Sequence, residues 1–215
     1  MGSLDSAKYC YELALYNRTD YPFALAGLAR IEKTNANYKA AIGYLIKANE
    51  QITEYSFYED LAELYLLDGQ KLKSDSATMK AIEMLSPGEN DNEEVAGHGH
   101  YADRELALVY SKKGEHLKAM QHAITEYNRR PNNIDVCETL AWIYYKAGKF
   151  YLADAVMKKA ARTGKRNPET LCRRGLIQLK VGQNFMGRKN ITDALQMNPF
   201  LDAELKSEAT SYLQM

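Results

Sequence analysis

A 34-residue interval recurs along this chain and limits what it can fold into more tightly than any single motif. Tyr110 and Tyr144 are separated by it, as are Gly114, Gly148 and Gly182 in succession, Ala119 and Ala153, and Ala160 and Ala194. The N-terminal part keeps the same spacing, with Ala7 matched by Ala41, Ala14 by Ala48 and Tyr11 by Leu45. Small residues, aromatics and glycines at fixed offsets within such a period predict stacked helix-turn-helix units, an all-α solenoid in which each unit is stable only beside its neighbours. Function in such an architecture resides on a surface.

Composition narrows the classes. The 215 residues carry 28 Lys plus Arg and 28 Asp plus Glu, a formal net charge of zero, and no block of one sign marks a nucleic-acid-binding or membrane-attracted tail. No run approaches the roughly 18 consecutive apolar residues of a spanning helix, so membrane insertion is not expected. Cys10, Cys137 and Cys172 are odd in number and lack Cys-x-x-Cys spacing, which suggests core thiols rather than a disulfide framework or a zinc site. Met1-Gly2-Ser3 reads as a vector-derived leader, and both a cytoplasmic and a periplasmic location stay open.

Apolar period and Gly, Pro and Asn punctuation place helices at about 4–17, 21–33, 38–52, 56–67, 72–85, 100–112, 116–128, 134–146, 150–162, 168–181, 185–196 and 201–213. Asn35-Ala36-Asn37, Gly69, Gly114, Gly148 and Gly182 mark turns within pairs, and Pro131, Pro168 and Pro199 mark the joints between them. The expected organisation is one array over 4–215: irregular pairs over 4–86, an acidic histidine-containing loop over 87–99, three regular pairs over 100–199, and a capping helix over 200–215. The loop is either a bridge across which the stack continues or a hinge. The helix from Leu4 to Asn17 matches the second member of a pair whose first member is missing. That leaves two expectations: the parent chain continues upstream, or the open face meets another chain and supports self-association.

The offsets resemble the tetratricopeptide repeat family, in the form of a bacterial-type multi-repeat protein. Cys137, Leu140, Ala141, Tyr144, Gly148, Ala153, Met157 and Ala160 fit its pattern best; Leu106, Ala107, Tyr110, Gly114, Ala119, Ala123 and Pro131 fit well. Leu171, Gly175, Gly182, Gly187, Ile191, Ala194 and Pro199 form a third match, while Tyr58, Leu61, Ala62, Tyr65 and Gly69 mark only one helix. Asp103, Glu126, Arg174 and Gln178 depart from it. The resemblance implies a right-handed solenoid whose first helices line a concave groove. It also implies a non-catalytic scaffold that binds a protein or peptide segment there, without a cofactor. The similar pentatricopeptide family binds RNA, has a period one residue longer and tends to be basic, so no nucleic-acid partner is expected.

Carried over by position, the groove residues are Arg104, Leu108, Glu138, Trp142, Tyr145, Leu176 and Leu179. Trp142 and Tyr145 are candidate aromatic anchors for a bound segment, or else fill space between neighbouring first helices. The carboxylate clamp of chaperone-tail binders is not expected, because Arg104 and Leu108, Glu138 and Trp142, and Cys172 and Leu176 occupy the positions where it needs Lys and Asn. His98 and His100 are weak metal candidates: their i, i+2 spacing does not share a helical face, and no second ligand pair supports them. No nucleophile, base and orienting acid occur together in a catalytic motif.

Overall fold

The computed structural model describes residues 4–86, 101–198 and 201–214, and among these every regular element is helical. The chain divides into two compact units, residues 1–94 and 95–215. The first contains α1 (Leu4–Asn17), α2 (Pro22–Thr34), α3 (Tyr38–Gln51), α4 (Tyr55–Leu67) and α5 (Lys71–Leu85). The second contains α6 (Asp103–Lys112), α7 (His116–Arg129), α8 (Ile134–Lys146), α9 (Phe150–Ala160), α10 (Pro168–Lys180), α11 (Asn184–Met197) and α12 (Ala203–Leu213). The bounds lie close to those predicted. One difference is at α9, whose end tightens into a 3₁₀ turn over Ala161–Thr163 and closes on Gly164 at φ +70°.

Each pair turns in the same way. The helix ends, the second residue past it enters the left-handed region, and the residue after that donates its N–H to a carbonyl five positions back. Glu115 bonds Tyr110 (2.9 Å), Lys149 bonds Tyr144 (2.8 Å), Gln183 bonds Gln178 (2.9 Å) and Gln70 bonds Tyr65 (2.7 Å). This closure satisfies carbonyls that the helix end leaves open, and it requires a positive φ, here 73° to 83° at Gly148, Gly69, Gly114 and Gly182. In the α2–α3 turn Ala36 takes that role at φ 59°, with Asn37 bonding back to Glu32 (2.9 Å).

Within pairs the helices meet through small residues. A methyl group on Gly175 would lie 2.7 Å from the Gly187 carbonyl oxygen, so α10 and α11 meet nearly backbone to backbone. Alanines at 41, 48, 107, 119, 141, 153 and 194 are 0% exposed, and large side chains such as Leu45, Phe57, Leu140, Met157 and Ile191 fill the spaces between helices. In the first unit α1 crosses α2 with the Tyr11 ring against Gly27, where a Cβ would lie 2.3 Å from the ring. No residue of α1 is fully buried, and Tyr9, Leu13 and Tyr16 are 66%, 47% and 85% exposed.

Candidate interaction surface

In the second unit the first helices follow one another: α8 packs against both α6 and α10. This succession brings Trp142, Tyr145 and Leu176 into one apolar cluster, with Leu108 and Leu179 half-buried against it. Trp142 and Tyr145 stack with ring centroids 5.0 Å apart and planes 10° from parallel. Arg173 lies 5.2 Å over the indole, and Lys146 lies 5.7 Å from it. The pair is largely enclosed within the unit, at 9% and 4% exposure.

What covers it comes from α12. Tyr145 donates its hydroxyl to Glu208 Oε1 at 2.5 Å, and Lys146 Nζ reaches Glu204 at 2.5 Å. Leu205 and Ala209 of the same helix enter the cluster, and Lys180 lies 5.4 Å over Tyr212. Burial and the hydrogen bond to Glu208 push the Tyr145 phenol far above its usual range, so it acts as a fixed donor. Burial pushes the neighbouring Cys172 thiol up to about 12 and raises Cys137, which makes both inert core thiols, whereas Cys10 is exposed on α1, contrary to the expectation of a core position.

The charged groove residues are held nearby. Glu138 accepts from Thr170 Oγ1 (2.7 Å) and from Arg173 (3.1 Å), joining α8 to α10. Arg104 pairs with Glu105 at 2.9 Å, and its Nε is buried without a partner, as is that of Arg173. His98 and His100 lie outside the described residues. Among the described residues no cluster of three His, Cys, Asp or Glu has metal-holding geometry.

The departures from the repeat pattern explain one another. Glu126 is 1% exposed where a small residue was expected, and it is held by ion pairs to Arg129 and Arg130; Asp103, where a large residue was expected, pairs with Arg129 (2.7 Å) and with His122 Nδ1 (2.8 Å). A buried carboxylate needs partners of this kind. Partial burial pulls the Asp103 carboxyl up, but the hydrogen bonds from His122 and Arg129 outweigh it and hold the group below its ordinary 3.8. His122 also stacks on Tyr110 at 5.5 Å. Similarly, Gln178 is 5% exposed because Asn190 donates to it at 2.7 Å across α10 and α11.

Sequence reasoning passed over the helix starts. Asn133 Oδ1 accepts the N–H groups of Asp135 (2.9 Å) and Val136 (3.1 Å), and Asn167 Oδ1 accepts those of Glu169 (2.9 Å) and Thr170 (3.2 Å). The two asparagines share the 34-residue interval, so the signal was present. Asp202 caps α12 through Leu205 N at 3.1 Å.

No family model matches the sequence, and no curated protein matches it. Among solved structures the chain is similar to a tetratricopeptide repeat protein from Parabacteroides merdae, with a TM-score of 0.65, 17% identity, 99% of this chain covered and 78% of that one. It is also similar to the human IFIT1 dimer with m7Gppp-AAAA, at TM-score 0.61 and 14% identity over 99% of this chain and 55% of that one. At these identities the likeness concerns fold. The fold is an all-α helical repeat of tetratricopeptide type, built of helix pairs.

Proposed function

We propose that the protein is a non-catalytic scaffold that holds a protein or peptide segment against the surface formed by α6, α8 and α10. The carrying observation is the convergence of Leu108, Trp142, Tyr145, Leu176 and Leu179 on one apolar cluster, with Arg104 and Glu138 among the charged groups of the same three helices. Apolar anchors beside fixed charges suit a segment with an apolar side chain and acidic flanks. The α12 contacts support this reading, since Glu208 and Glu204 already supply carboxylates to Tyr145 and Lys146. A ligand carboxylate would engage the same donors once α12 shifts.

Capture from native extract tests this reading, comparing the wild type with Trp142→Ala plus Tyr145→Ala. Because those side chains also belong to the core, a second variant, Arg104→Glu plus Leu108→Glu, alters the same face with less loss of packing, and circular dichroism verifies folding. Loss of capture in both folded variants is expected; capture retained by both moves the binding site elsewhere.

A second reading is self-association through α1, favoured by the exposure of Tyr9, Leu13 and Tyr16. It predicts a mass that rises with concentration and returns to the monomer value in Leu13→Glu plus Tyr16→Glu.

A further inference from the structure

The second residue of each second helix in the second unit is apolar and stands in solvent. Leu117 on α7, Tyr151 on α9 and Phe185 on α11 are 86%, 80% and 79% exposed and follow the 34-residue interval. Leu152 and Met186, at 51% and 43%, widen the row. Each leading side chain comes two residues before the small residue that seats its helix, Ala119, Ala153 or Gly187, and so contributes little to the core. In the first unit α5 has the same feature, with Leu72 second in the helix and 86% exposed between Lys71 and Lys73, whereas α3 has Lys39 at that place. Apolar side chains placed this way add little to the core, and recurrence at one offset sets them apart from singly scattered surface residues.

The charge on the same edge is predominantly positive, although Lys113 and Lys118 pair with Glu115 and Lys146 pairs with Glu204. Residues 112–118, 146–152 and 180–186 carry Lys112, Lys113, Lys118, Lys146, Lys149 and Lys180 against the single carboxylate Glu115, in a chain whose net charge is zero. Some of these lysines complement the C-terminal ends of α6, α8 and α10, and the connections at the other ends of the pairs are basic for a similar reason, with Arg130, Lys165 and Arg166. Among the described residues those other connections carry no such row of exposed apolar tips. The combination distinguishes the glycine-turn edge.

We propose that this edge adsorbs to an anionic lipid bilayer, with Leu117, Tyr151 and Phe185 entering the headgroup boundary and the lysines facing lipid phosphates. The shape favours a fluid surface over a folded partner. The apolar groups are separate protrusions on three helices; a rigid protein would need a socket for each, whereas a bilayer deforms around them. Tyrosine and phenylalanine suit the interface, and lysine stems extend along it with the ammonium at phosphate level. Among the described residues no helix is long and apolar enough to cross a membrane, so the contact is adsorption to one leaflet.

Co-sedimentation of the full chain with phosphatidylcholine vesicles, with or without phosphatidylglycerol, tests the proposal. The wild type is expected to partition onto the anionic vesicles and to be released by salt. Leu117→Glu plus Tyr151→Glu plus Phe185→Glu is expected to reduce the partition coefficient by roughly tenfold or more with an unchanged melting curve. Lys118→Gln plus Lys149→Gln plus Lys180→Gln should narrow the difference between anionic and neutral vesicles. Failure of the wild type to bind anionic vesicles overturns the proposal, as does equal binding by the folded glutamate variant. A lipid-independent, concentration-dependent mass that the glutamate variant abolishes, without wild-type vesicle binding, would assign the edge to a second copy and also overturn it.

Discussion

The helices α1 and α12 each pack against the pairs of a different unit, and they do so unequally. α12 is capped by Asp202, buries Leu205 and Ala209, and supplies carboxylates to Tyr145 and Lys146. α1 fully buries no residue and meets the unit through the Tyr11 ring on Gly27 and half-buried Leu15. A similar difference separates individual helices: Asn133 and Asn167 cap α8 and α10 through their side chains, whereas α2 to α5 in the first unit and α6, α7, α9 and α11 in the second begin without a side-chain cap. A shared repeat period therefore fixes where helices lie without fixing how firmly each is held.

Paired substitutions sharpen that contrast, and the largest effect concerns the close approaches. Gly175→Ala drives a methyl group into the backbone of α11 and should cost about 3 kcal/mol, whereas Gly27→Ala meets only a movable tyrosine and should cost about 1 kcal/mol, both read from chemical denaturation. Equal losses would mean that Tyr11 is held as rigidly as a helix backbone. Next, Asn133→Ala and Asn167→Ala should each lose about 1 kcal/mol, against a few tenths for Asn37→Ala, whose side chain bonds Glu32 rather than the helix start.

The turns should respond with opposite signs. Gly148→Ala places a side chain at φ 73° and should cost about 1 kcal/mol, while Ala36→Gly at φ 59° should gain several tenths of that in thermal melts. The smallest effect is in acid. The Asp103 carboxyl is held below 3.8 in the folded chain, so its contribution is complete above that value and is lost as pH falls through the lower folded value. Asp103→Asn should flatten the acid limb of the stability curve by less than about 1 kcal/mol, since the group is only partly enclosed.

The helices were legible because their ends are written in residues with few backbone options. Gly114, Gly148 and Gly182 mark where the chain must take a positive φ, and Pro168 can start a helix but not continue one. The apolar interval then placed Ala119, Ala153 and Leu140 inside. The groove positions were legible only through resemblance. Nothing local in the sequence announces that Glu208 bonds Tyr145 across 63 residues, because a carboxylate on a polar helix reads as solvent-facing. Leu117, Tyr151 and Phe185 were missed for the converse reason: an apolar residue on an amphipathic helix is assigned to the core by default, and only coordinates separate the outward ones. Glu126 and Asp103 read as flaws in a repeat because each is compensated by residues that the pattern does not include.

The hydrogen bond from Tyr145 to Glu208 also governs how this end can come apart. In a stack held only by adjacent contacts, terminal helices peel away one after another, each step with its own small barrier. Here α12 is fastened to α8 as well as to α10 and α11, so traction on the C-terminus loads several helices together. Stretched between optical traps, residues 134–213 should release in one abrupt step, and Glu208→Gln combined with Glu204→Gln should split that step in two.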